Sequence, residues 1–280
     1  MSAAEHDLVA VPATTGAVGL AASQVEALVL SNSTLATAQA LADGNPGGRP
    51  GADAGLADGA RAGAIAQAAP ERVRIALRTL IPRRPLTLRG FQIDRTRVTN
   101  RMYARFLRDS GHGAPSSWPN GRMPPGREGC PVTHVSHKDA FSYATWADLE
   151  LASEAEWEIA AGGADGRRYP WGDDARPELE ILRKADPAAL AADAYPALAS
   201  PFGVLGLVWP SWEWCADAFA PLPGGEPAAF EAAYPEHQQS HRALRGGHSH
   251  WQQYGVWARI GAEPSTTRFD HGFRCVRRGL

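Results

Sequence analysis

Two histidines one residue apart stand near the start of the stretch RGGHSHWQQYGVWAR, Arg245 to Arg259. Alternate residues of a strand face the same way, so His248 and His250 can present both imidazoles on one side. With His137 or His134 as a third ligand, such a set suits iron, zinc or copper. Either histidine could instead act as a general base, because an imidazole changes its charge near neutral pH. No carboxylate or nucleophile in the sequence pairs with them in a way that completes that kind of site. Glu154, Glu156 and Glu158, in the run SEAEWE, are candidates for paired acid catalysis. Carboxylates at a helix start more commonly serve as caps or enter salt bridges, and that is the reading preferred for them.

The balance of charge narrows the possible partners. The chain has 280 residues, with 28 basic against 30 acidic and a net charge of −2. This leaves no basic surface of the kind that nucleic acid or an anionic membrane requires. Cys130, Cys215 and Cys275 are too few and too scattered for a disulfide framework or a thiolate zinc site, and they read as small buried hydrophobes. No apolar run approaches the ~20 residues of a spanning helix, and the start MSAAEHDLVAV carries acids where a secretory signal carries bases. The expectation is a soluble, cytoplasmic protein.

These side chains need elements to position them. Residues 7–20 alternate apolar and small residues around Pro12, which predicts a strand followed by a turn. Residues 23–43 have helical composition with Ser23 as cap, 44–55 form a Gly/Pro-rich loop, and 71–81 form a helical run stopped by Pro82. Residues 86–94 alternate as a strand. Residues 99–111 predict a helix with a Thr cap, a Gly stop and an apolar face of Met102, Phe106 and Leu107. Ser136 caps a helix that turns Ala140, Tyr143 and Trp146 inward, and Ser153 with Glu156 forms a capping box. Beyond Gly163 the helical signal fades into Trp, Gly and Pro, so aromatic side chains and loop hydrogen bonds must hold the core.

Taken in order, several blocks carry a family likeness. FQIDRTRVTNRMYARF, PVTHVSHKDAFSYATWADLELASEAEWEIAAGG, RRYPWGD, FGVLGLVWPSWEWCAD, LRGG and GFRC resemble the formylglycine-generating-enzyme (sulfatase-modifying factor) family. The resemblance implies an α+β, C-type-lectin-like fold with few regular elements and an irregular, loop-rich core. It implies a single domain over residues 1–280, with a helical and flexible insertion at about 21–85. The enzyme that names the family uses a copper-binding cysteine pair, and those positions fall at Trp251 and Val256 here. Without thiolates there is no soft ligand set for Cu(I) and no mixed disulfide with a substrate cysteine, so formylglycine synthesis is rejected. Pro210 stands where the family's calcium-site Asn would be, while Glu213 is retained; calcium wants several convergent oxygens, and the loss counts against it. The related sulfoxide synthases carry an N-terminal bundle with iron-binding histidines, whereas the first 85 residues here hold only His6.

From Ala243 onward the chain is also similar to the terminal region of diversity-generating-retroelement variable proteins. Arg245-Gly246-Gly247, Gly255-Val256-Trp257, Pro264-Ser265 and Gly272-Phe273-Arg274 match the scaffold positions of that pattern. His248, His250, Trp251, Gln252, Tyr254, Trp257, Arg259, Thr266, Arg268, Phe269, Asp270 and His271 then become the expected ligand-binding residues. Aromatic, basic and amide side chains of this kind suit an interface with a protein or other macromolecular ligand. The competing reading is a metal-dependent oxidoreductase or hydroxylase that uses His248 and His250, with His137 as a further ligand and iron, zinc or copper as the metal.

Overall fold

The computed structural model describes residues 6–21, 23–25, 28, 78–174, 176, 179, 186, 188–208, 211–247 and 255–279. The helices expected at 23–43 and 71–81 and the loop at 44–55 lie mainly outside them. The chain divides into two compact units: Met1–Val18, Arg84–Ala220 and His237–Leu280 in one, Gly19–Arg83 and Pro221–Glu236 in the other.

Among the described residues, three sheets organise the first unit. Strands β1 (Leu8–Val11), β4 (Phe91–Asp94), β5 (Glu150–Leu151) and β10 (Cys275–Arg277) form one, in the order β1-β4-β10-β5. A second pairs β2 (Thr14–Val18) with β3 (Arg84–Leu88). The third, in the order β8-β7-β6-β9, contains β6 (Trp212–Ala218), β7 (Arg242–Gly246), β8 (Arg259–Ala262) and β9 (His271–Phe273). The stretch 7–20, expected as a strand followed by a turn, forms two strands, and the strand expected at 86–94 is split in two. β1 pairs with β4 while β2 pairs with β3, so the chain changes sheet at Pro12-Ala13 and again at Arg89-Gly90. Pro12 brings no N–H to a ladder, which makes it a natural place for the break.

Helix ends follow local side-chain chemistry. Helix α1 (Asn100–Ser110) starts at Thr99, whose hydroxyl accepts from the Met102 N–H, and stops at Gly111 in the left-handed region at φ 71°. Its buried face is Asn100, Tyr103 and Phe106, with Met102 and Leu107 only partly covered. Helix α2 (His137–Trp146) and helix α3 (Glu154–Gly162) each begin with a complete capping box, Ser136 with Asp139 and Ser153 with Glu156.

The core between α1, α2 and the sheets is aromatic. Tyr103, Phe106, Trp118, Tyr143, Trp214 and Phe273 are all buried in one cluster. Tyr103 and Tyr143 stack at 5.8 Å and 13°, and Phe273 meets both rings edge-on. Burying each such ring contributes roughly 1.5–3 kcal/mol. The indole N–H of Trp214 donates to the Val135 carbonyl at 2.9 Å, so that ring is buried without an orphaned donor. All three cysteines are free and buried, and burial pushes the Cys215 and Cys275 thiols up.

In the second unit, a short helix α4 (Pro227–Ala233) begins with proline in its first turn and buries Phe230. The sequence reading did not anticipate it. Among the described residues, no helix is long and apolar enough to cross a membrane.

Candidate functional site

The register of the third sheet brings the two ends of the C-terminal segment together. Trp212 on β6 lies opposite Gly246 at the end of β7 and opposite His271 at the start of β9. Two strand spacings, about 10 Å, therefore separate the point where the chain leaves β7 from the point where it enters β9.

The loop that enters β9, residues 263–270, is tied down along its backbone. The Thr266 N–H donates to the Glu263 carbonyl at 2.9 Å, the His137 N–H to Pro264 at 3.0 Å and the His134 N–H to Arg268 at 2.9 Å. At the loop's end the Trp212 N–H donates to the Asp270 carbonyl at 2.6 Å. His134 sits in the left-handed region at φ 58°, an uncommon conformation for a side chain of its size. Ser265, Thr267, Arg268 and Phe269 are exposed, Thr266 is half-buried, and Phe269 shows 45% of its surface.

Of the twelve expected contact residues, Thr266, Arg268 and Phe269 stand at this surface. His248, His250, Trp251, Gln252 and Tyr254 lie outside the described residues. The remaining four are interior, which corrects the expectation that they face a ligand. Trp257 is buried beside α3 in the short turn Gly255–Trp257. Arg259 is committed to Glu154, with its guanidinium over the Phe219 ring at 4.6 Å. Asp270 is buried and accepts from Arg268 Nε at 3.3 Å. His271 packs against Trp214 at 5.1 Å, and burial pulls its pKa down to about 4, leaving it neutral near pH 7.

The histidines proposed to complete a metal site have other roles in the scaffold. His137 Nε2 lies 3.1 Å from the Cys215 carbonyl, which can only accept, so that nitrogen donates. Burial lowers the pKa of both His134 and His137. Among the described residues, no group of three His, Cys, Asp or Glu is placed to hold a metal ion.

The carboxylates of SEAEWE and WEWCAD are all engaged. Glu154 faces Arg259, Glu158 Oε2 accepts from Arg245 Nη2 at 2.7 Å, and Glu156 joins its cap to Arg278. Glu213 is the retained member of the calcium motif. Its Oε1 accepts from Arg97 Nε and Arg274 Nη2, both at 2.9 Å, and its Oε2 from Arg274 Nε at 2.6 Å and Trp157 Nε1 at 3.1 Å. Two guanidinium groups already supply the positive charge, so a calcium ion does not fit at Glu213. Sequence reasoning missed Arg97 and Arg274 as the partners of this carboxylate. Their places, Arg97 immediately before VTN and Arg274 inside GFRC, were the available signal.

The scaffold and its sequence define the class. Residues 59–279 match the sulfatase-modifying factor enzyme 1-like domain, and the chain belongs to that family. It is 32% identical over 253 residues to a formylglycine-generating enzyme of Streptomyces coelicolor, covering 70% of this chain and 80% of that protein. It is also 32% identical over 225 residues to a hercynine oxygenase of Mycobacterium tuberculosis, covering 66% of this chain and 50% of that protein. Two solved structures share its α+β, C-type-lectin-like fold. PvdO from Pseudomonas aeruginosa gives a TM-score of 0.56 at 19% identity, covering 96% of this chain and 93% of its own. Treponema denticola variable protein 1 gives 0.53 at 15%, covering 97% and 95%.

Proposed function

We propose that this chain is a recognition protein of the variable-protein type, binding a macromolecular ligand through residues 248–269. The observation that carries the reading is the loop 263–270. Its backbone is fastened to α2 and β6, while Ser265, Thr267 and Phe269 are exposed. A backbone fixed independently of its outward side chains lets those side chains be exchanged without loss of fold, which is what a diversified binding surface needs. Asp270 and His271, buried at the loop's end, act as its anchors. The likeness of fold to a Treponema denticola variable protein supports the reading, and so does the lack of cysteine at 251 and 256.

The test is to compare the locus across independent isolates. Codon changes concentrated at 248–254 and 265–269, beside a reverse-transcriptase gene and an imperfect template copy, are the expected result. An invariant segment with neither neighbour overturns the reading.

One observation favours a second reading, a metal-dependent oxidoreductase or hydroxylase using His248, His250 and His137. The chain is 32% identical to a formylglycine-generating enzyme across 80% of that enzyme's length. Stoichiometric iron, zinc or copper in purified protein, lost in His248→Ala/His250→Ala, would support it. Protein that stays metal-free after reconstitution would remove it.

A further inference from the structure

Asp94, His6 and Tyr143 form a buried chain of hydrogen bonds that the recognition surface does not use. His6 Nδ1 lies 2.5 Å from Asp94 Oδ1, and His6 Nε2 lies 3.1 Å from Tyr143 Oη. The His6 and Asp94 side chains are each 3% exposed, and Tyr143 is 1% exposed. The other Asp94 oxygen accepts the Cys275 N–H at 2.8 Å, which fixes the carboxylate. A carboxylate accepts, so Nδ1 of His6 carries a proton toward Asp94; in the neutral Nδ1–H tautomer Nε2 offers its lone pair and the Tyr143 hydroxyl donates to it. Tyr143 is thus a buried phenol aimed at a base, and that base is itself held by an acid.

Tyr143 also stands within a series of oxidisable rings. Trp146, half-buried at the end of α2, lies 5.5 Å away; Tyr103 is stacked at 5.8 Å, and Trp118 is 6.2 Å beyond Tyr103. Such spacings bring neighbouring rings close enough to exchange an electron. The members differ in what can happen to their protons. Burial and the Asp139 charge push the Tyr103 phenol well above its ordinary pKa, so Tyr103 holds its proton tightly. An oxidised phenol is a strong acid, and the member with a base in reach is the one where the oxidation is stabilised.

We propose that Tyr143 is a proton-coupled redox tyrosine, the resting place of an oxidising equivalent that enters the aromatic series at Trp146. The oxidant is a one-electron acceptor at the surface, a free radical or an oxidised metal complex, and it gains one electron. Tyr143 loses that electron by way of Trp146, its O–H bond breaks, and the proton passes to His6 Nε2. A neutral phenoxyl radical and an imidazolium paired with Asp94 remain. A one-electron donor such as ascorbate returns the electron, and His6 returns the proton.

The experiment uses the full chain, photogenerated tris(bipyridine)ruthenium(III) and freeze-quench paramagnetic resonance. Wild type is expected to give a tyrosyl radical whose formation slows in deuterated water. Tyr143→Phe keeps the ring and its packing, and it should lose that signal without losing the fold. His6→Gln should reduce the yield and abolish the isotope effect. An undiminished tyrosyl signal in Tyr143→Phe overturns the proposal. So does an isotope effect that His6→Gln leaves unchanged, since a purely structural clasp would behave that way.

Discussion

Arg259 meets Glu154 as a two-pronged pair: Nη2 donates to Oε1 at 2.7 Å and Nε to Oε2 at 2.8 Å, with both groups withdrawn from water. This arginine lies in the middle of the C-terminal segment, yet it fastens β8 to the start of α3. Removing Arg259 leaves the buried Glu154 carboxylate, among the described residues, only its longer contact to Arg245 Nη1 at 3.4 Å, in a medium that solvates charge poorly. Arg259→Ala is therefore expected to lower the unfolding free energy by about 3–5 kcal/mol, read from urea denaturation. Arg259→Lys keeps the charge but loses the planar fork, and its midpoint should fall between the two.

The buried carboxylates give stability a defined dependence on acid. Burial alone would raise the pKa of Glu213, but the charges of Arg274 and Arg97 outweigh it and hold the group below its ordinary value of 4.5. Glu154 is held low in the same way, with burial opposed by Arg259 and Arg245. A carboxylate whose folded pKa is depressed contributes stability above its unfolded pKa. That contribution is lost as pH falls through the folded value. The urea midpoint should thus begin to fall below pH 6.5, where the unfolded chain protonates His271, His134 and His137 before the folded one does, and fall further below 4.5 as Glu213 and Glu154 lose their contribution. Glu213→Gln should be less stable at pH 7 and show a shallower acid slope. A slope as steep as that of wild type would contradict the assignment.

These pairs also mark where the sequence stops being readable. The caps at Thr99, Ser136 and Ser153 and the stop at Gly111 lie within four residues of the groups they satisfy, so spacing alone exposed them. Glu213 finds Arg97 across 116 positions and Arg274 across 61, and no local pattern encodes such a meeting. The salt-bridge reading of Glu154 and Glu158 was available from SEAEWE, but the identity of Arg259 and Arg245 as partners was not. The segment 255–271 shows the same limit from the other side. It has short strands joined by an irregular loop, so no period of two or 3.6 separates inward from outward residues. Polar type then mistook Arg259, Asp270 and His271 for surface, whereas Arg268 and Phe269 do stand there.

Two glycines flank residues 248–254, and neither has room for a side chain. Gly247 is at φ 114°, where a Cβ would lie 2.7 Å from the Trp212 ring; Gly255 is at φ 58°, where it would lie 2.0 Å from the Arg168 carbonyl oxygen. Backbone strain and overpacking act together, so Gly255→Ala should cost at least ~2 kcal/mol and lower the melting temperature. Gly247→Ala should cost less, since the Trp212 ring can shift more easily than the Arg168 backbone. Equal melting temperatures for wild type and Gly255→Ala, by calorimetry, would remove this role.

The division of the segment into scaffold and display can be tested without knowing the ligand. Ser265, Thr267 and Phe269 are exposed, whereas the Arg268 side chain pairs with the buried Asp270 carboxylate at 3.3 Å. Exposed substitutions away from caps and buried pairs usually change stability by no more than about 0.5 kcal/mol. A library randomised at 265, 267 and 269, displayed and challenged by heat and protease, should therefore remain mostly folded. Trp257, Arg259, Asp270 and His271 present the opposite case. They are 5%, 4%, 4% and 2% exposed, and substitution there opens a cavity or strands a buried partner. A library randomised at those four should survive only where the original chemistry returns, with arginine recovered at 259 most strongly. Equal survival of the two libraries would mean that the outward loop residues also hold the fold, and the display reading would fail with it.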